Sequence, residues 1–133
     1  MHLLIKRVNE LTIEGYTHFI SSFANDTDVL LAQIIGSFRY KNKDLILEAV
    51  IPIENKLNSL DKIKYALMLY NKVTVIQEQC GPECFQKRNK YMIDNSDVVV
   101  TLWDEKTSKE TYNAVNYARS QGKEIIRMNP LQE

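Results

Sequence analysis

Apolar residues recur along this chain with two alternating periods. Leu3, Leu4, Val8, Leu11 and Ile13 return every three to four positions, which predicts an opening helix ended by Gly15. Tyr16 to Ser21 reads as a strand and Ser22 to Asp28 as a polar turn, after which Val29, Leu30, Ile34, Ile35 and Phe38 resume helical spacing. Lys41 to Asp44 is a turn and Leu45 to Ile51 a second buried strand. Pro52 ends that strand because it has no N–H to give a ladder. Glu54 to Ser59 is an exposed connection.

Ile63, Ala66, Leu67 and Tyr70 mark a further helix, Val73 to Ile76 a short strand, and Gln77 to Glu83 a loop. A helix from Cys84 to Asn95, burying Phe85 and Met92, runs directly into Val98 to Leu102. That strand is apolar on both faces, the pattern of strands covered by helices on both sides. A polar loop from Trp103 to Glu110 follows, then a helix through Tyr112, Val115 and Ala118 ended by Gly122, then the strand Glu124 to Met128. Strands alternating with helices imply right-handed crossovers and a mostly parallel sheet. The expectation is one three-layer Rossmann-like α/β domain over residues 1–133.

Seventeen basic residues balance seventeen acidic ones, so the formal net charge is zero. That removes the general electrostatic case for binding nucleic acid or an anionic membrane, and any anionic ligand must be held locally. No apolar run approaches the roughly 20 residues of a membrane span, and the first residues lack the pattern of a signal peptide. A cytoplasmic protein is expected. Cys80 and Cys84 are the only cysteines, and two thiols with distant His2 and His18 fall short of a four-ligand zinc site. They read as reduced structural thiols, and His18, in an apolar strand, as a satisfied core or edge histidine. No metal or cofactor is implied.

Parallel α/β sheets bind ligands at the carboxyl ends of their strands. Ser21, Ser22, Asn25 and Asp28 follow the first strand, Glu54 the second, and Asp104 with the loop to Thr111 a later one. The segment Ser22 to Asp28 precedes a helix start, where backbone amides can hold phosphate or carboxylate. Helix capping by Asp26, Thr27 or Asp28 explains the same residues equally well. Arg88 and Asn89 sit one turn into their helix and offer a planar cation and an amide suited to phosphate or nucleobase. The alternative for them is an ion pair with Asp94 or Asp97 on a solvated face. No Ser-His-Asp, Cys-His or H-E-x-x-H arrangement is present, so no catalytic residue is assigned.

Phe19 to Asp28, Ala49 to Asn55, and Cys84 to Asp97 with its continuation to Ile126 are three stretches that together resemble the SLOG superfamily of Rossmann-like domains, the group of the Smf/DprA proteins and the LOG phosphoribohydrolases, and within it the YpsA-like branch of small bacterial proteins. Phe19 to Asp28 is similar to that family's F-I-S-G-x-A-x-G-x-D loop, and Ala49 to Asn55 to its strand ending in P-x-E. Cys84 to Asp97, continuing through Trp103, Asp104, Thr111, Asn113, Tyr117, Ala118 and Gly122 to Ile126, resembles its C-terminal half. The departures are specific. Ser22 and Asp26 replace the two glycines of the first loop, and Lys109-Glu110-Thr111 stands where the family has G-G-T. Side chains thus occupy places where bare backbone would approach a phosphate. The family also has a strand ahead of the first helix. Its absence here implies an open seam in the sheet, explained by a chain start that omits it, a rearranged sheet, or a partner strand.

The resemblance implies a nucleotide or nucleotide-derivative binding protein, sensing or sequestering a ligand such as ADP-ribose or NAD. A degenerate interaction or homo-oligomerisation module is the second reading. A LOG-like hydrolase of an N-glycosidic bond is the third and is disfavoured, because the signature P-G-G-x-G-T-x-x-E is missing. Nucleic acid, a ligand of the DprA branch, is disfavoured by the zero net charge.

Overall fold

The computed structural model describes residues 2–22, 26–52, 64–76, 83–102 and 109–128. Helix α1 (His2–Ile13) leads into strand β1 (His18–Ser21), helix α2 (Asp26–Arg39) and strand β2 (Ile46–Pro52). A helix described over 64–69 (α3) precedes β3 (Lys72–Ile76). Helix α4 (Glu83–Asp94), β4 (Val98–Leu102), α5 (Lys109–Ser120) and β5 (Glu124–Met128) follow. The chain is an α/β, Rossmann-like domain of three layers, and every described strand pairing is parallel.

Gly15 and Gly122 end α1 and α5 as their spacing predicts. Both have positive φ, 103° and 72°. The residue after each reaches back five positions, Tyr16 N–H to Leu11 C=O and Lys123 N–H to Ala118 C=O, which closes the last turn of the helix. The polar turn expected through Asp28 is shorter than expected, because α2 already begins at Asp26. Asp28 therefore stands in the first turn of the helix, where a carboxylate meets the positive end of the helix dipole.

The two faces of β2 differ in kind. Leu47, Ala49 and Ile51 join Leu4 and Val8 of α1, Ala32, Ile34 and Ile35 of α2, Ala66 of α3, Tyr70, and Met128 of β5 in one buried cluster. Glu48 points the other way, toward α4, which packs on β2 and β3 and beside α5. Three apolar expectations fail at the surface: Leu67 and Tyr112 are exposed, and so is Val100, at 38 %. Leu67 follows the fully buried Ala66 on a helix that presents only one stripe to the core. The expected burial of Phe85 lies outside the described side chains, while Met92 is half-buried.

Val100 is open for a topological reason. The described strands form two ladders, β1-β2-β3 and β4-β5, and not one continuous sheet. Between β1 and β4 runs a groove of about 300 Å³ lined by Leu11, Phe19, Ile20, Asp97, Val98 and Val100 among others. The groove lies beside the edges of β1 and β4.

Candidate functional site

Two polar clusters lie on opposite faces of the first ladder. At the carboxyl end of β1, Ser21 and Ser22 both turn their hydroxyls to Asp28 at the head of α2. Ser21 Oγ donates to Oδ1 at 2.7 Å, and Ser22 Oγ to Oδ2 at 3.1 Å. The Tyr70 hydroxyl donates to the Asp28 carbonyl at 3.2 Å and lies 3.3 Å from Ser21 Oγ. Ser21 is only 2 % exposed, while Ser22 and Asp28 are half-buried and keep one side of the corner open. Asp28 puts a carboxylate at the helix head where a bound anion would otherwise sit.

Tyr70 had carried no expectation beyond a core position. Burial pushes its phenol up, the hydrogen bond with Ser21 draws it partly back, and the Asp28 charge raises it again, to about 12. The fold thus holds the neutral phenol, and that contribution is lost as pH rises from about 10 toward 12. An alkaline titration followed by tyrosinate absorbance should show Tyr70 among the last of the seven tyrosines to ionise. Tyr117 is also raised, by its hydrogen bond to Asp94, so the difference against Tyr70→Phe is the diagnostic curve. A Tyr70→Phe curve identical to wild type above pH ~11 would refute the assignment.

On the α4 face the cluster centres on Glu48, 1 % exposed in the middle of β2. His18 Nε2 of β1 lies 2.8 Å from Oε1, and because an ionised carboxylate only accepts, the imidazole nitrogen donates. Thr74 of β3 and Tyr91 of α4 donate to Oε2, Tyr91 at 2.8 Å, and Lys72 Nζ stands 3.6 Å from Oε1. Burial alone would raise this carboxyl. The bonds from Thr74, Tyr91 and His18, with the charge of Lys72, outweigh it and hold the carboxyl below its ordinary value. The parallel register makes the cluster possible, since Glu48 is paired with Ile20 on one side and Lys72 on the other. His18 is a satisfied edge histidine, as expected.

Arg88 departs from the solvated-face reading. It is 5 % exposed, three residues before Tyr91 on the same side of α4, and Asp94 accepts the Tyr117 hydroxyl at 2.6 Å. Its Nε and Nη2 approach Asn89 Oδ1 at 3.4 and 3.3 Å. A helix following β3 starts at the carboxyl ends of the strands, so Arg88 lies nearer that edge than Tyr91 does. The structure therefore joins Ser21, Ser22 and Asp28 in one group and Arg88 with Asn89 in another, while Thr111 is half-buried in α5. Asn25, Glu54, Asp104 and Cys80 lie outside the described residues, as does the side chain of Cys84.

Glu48, with Thr74, Tyr91 and Lys72 around it, was missed by sequence reasoning, which had singled out only His18 of the cluster. The signal was present: a lone carboxylate inside the apolar run Leu45 to Ile51 must find donors if the strand is buried on both faces.

No known protein-family model matches the sequence. Over 147 aligned positions the chain is 30% identical to YoqJ, an uncharacterized SPbeta prophage-derived protein of Bacillus subtilis strain 168. The alignment takes in 96% of this chain and 85% of that protein. The chain belongs to the YoqJ family. The name of YoqJ carries a prophage origin and no ligand or reaction, so the side chains of this YoqJ-family chain are the guide to its chemistry. Among the described residues no helix is long and apolar enough to cross a membrane.

Proposed function

We propose that the chain binds a nucleotide or nucleotide derivative at the carboxyl edge of its first ladder, as a SLOG-type sensing or sequestering protein without catalysis. The observation that carries this reading is Arg88, a guanidinium 5 % exposed on the sheet side of α4, with the Asn89 amide beside it. A buried planar cation near the ligand edge of a Rossmann-like sheet suits a phosphate or a base. Asp28, with Ser21 and Ser22, narrows the choice. Its carboxylate disfavours phosphate at the head of α2 and suits hydroxyl donors there, such as those of a ribose.

Thermal unfolding across a panel of ADP-ribose, NAD, AMP and adenosine tests the proposal. A true ligand should add RT ln(1 + [L]/Kd), about 2.7 kcal/mol at a hundredfold excess over Kd. Asn89→Ala should remove most of that gain, read as the ligand-induced shift relative to the variant's own unliganded protein. No stabilisation by any member at millimolar concentration would overturn the reading. An interaction role is the second reading, favoured by the groove between β1 and β4.

A further inference from the structure

We infer that Tyr91 and Glu48 are positioning residues for the Arg88–Asn89 site: the Tyr91 hydroxyl, donating to the buried carboxylate, sets where α4 stands on the sheet and so where the guanidinium stands near its carboxyl edge. What Arg88 holds there rests on the nucleotide reading, whereas its placement does not.

Glu48 is a fixed point of the ladder. Its two oxygens are engaged from different strands, Oε1 by His18 of β1 and Oε2 by Thr74 of β3, so the carboxylate is not at liberty to follow a moving helix. Lys72, directly opposite in the parallel register, balances its charge from 3.6 Å. Tyr91 ties α4 to this point at 2.8 Å. A phenol donating to an ionised carboxylate makes a charge-assisted bond, about twice as strong as a neutral one, and it weakens steeply with misalignment.

The apolar contacts of the same helix carry no such direction. Ile93 is buried and Met92 half-buried, yet hydrophobic burial follows area and tolerates a slide or a small rotation. The hydrogen bond does not. It also stands close to the residues it serves, since Arg88 lies three positions before Tyr91, about 4.5 Å along the axis and on the same side of the helix. A rotation of α4 by one residue, about 100°, would carry Arg88 off the sheet and bring up Lys87 or Asn89 in its place. Lys87, exposed here, is a compact point charge and no substitute for a planar guanidinium. At the far end of α4, Asp94 accepts the Tyr117 hydroxyl and Lys90 Nζ lies 5.6 Å from the Tyr117 ring centroid. That exposed contact holds helix to helix, and the seat of α4 on the sheet falls to Tyr91.

The test uses the full chain. The Arg88 Nε–Hε cross-peak in nitrogen-15 NMR spectra, assigned by its loss in Arg88→Lys, reports the guanidinium in the unliganded protein. Tyr91→Phe keeps the ring and removes the hydroxyl alone; it should displace that cross-peak and speed its exchange with water about tenfold. It should also weaken ADP-ribose, measured by titration calorimetry, about tenfold. Two controls separate placement from loss of stability. Ile35→Ala, in the core on the opposite face of β2, destabilises the fold without touching the tie, and Tyr117→Phe cuts only the exposed contact. Both should leave the cross-peak in place. An Arg88 cross-peak unmoved by Tyr91→Phe, or moved as far by Ile35→Ala, would overturn the inference. A wild type that takes up no ADP-ribose, with the cross-peak still displaced by Tyr91→Phe, would count against the nucleotide reading and uphold the placement.

Discussion

Replacing Glu48 with alanine is expected to cost about 3–5 kcal/mol of folding stability, the usual range for removing one member of a buried charged network. His18, Thr74 and Tyr91 would keep donors aimed at an empty place, and Lys72 would lose its counter-charge. The expected total stability of a domain this size is only about 5–15 kcal/mol, so the variant should sit near its unfolding midpoint at modest urea. Glu48→Gln preserves shape and one acceptor and should cost less, about 1–3 kcal/mol. The pH dependence has a fixed sign. The folded carboxyl titrates below its unfolded value of 4.5, so its contribution is complete above that pH and is lost as pH falls through the folded pKa. Wild type should therefore lose stability below about pH 4.5 more steeply than Glu48→Gln does. Parallel acid unfolding curves for the two proteins would show that other carboxylates govern acid sensitivity.

Ile35→Ala should cost about 2–5 kcal/mol, measured as a fall in the urea midpoint at unchanged slope. Ile35 is 0 % exposed on α2 and belongs to the cluster that joins α1 and α2 to Leu47, Ala49 and Ile51. Truncation there removes three carbons from a place that α1, α2 and β2 jointly close. Tyr40→Ala, at a residue 90 % exposed, should stay within about 0.5 kcal/mol and serves as the comparison. A loss at Ile35 of the same small size would mean that α2 can slide to refill the space.

The element order was legible because each strand and helix carries its own period. Gly15 and Gly122 marked helix ends for a local reason, the positive φ that only the last turn demands. The candidate corner was legible in part, since Ser21, Ser22 and Asp28 follow a strand and head a helix. Tyr70 was not, because its partners lie 42 and 49 positions away in sequence. Glu48 was hidden for the same reason: its donors come from β1, β3 and α4, and only the register of three strands reveals that they converge. For Arg88 the sequence left a ligand-facing cation and a solvated ion pair with Asp94 or Asp97 both open, and burial removes the solvated face: the helix turns Lys87 and Lys90 outward and Arg88 inward.

Register itself depends on a small device. The Asn71 side chain, just ahead of β3, accepts from Leu47 N–H at 2.6 Å and donates to the Leu45 carbonyl at 3.3 Å. It pairs with β2 as one more rung of backbone would. A slip of one residue would turn every side chain of a strand to the opposite face, sending the carboxylate of Glu48 into the oil of Leu4, Val8 and Ile35. A single amide thus works as an alignment pin for the native ladder.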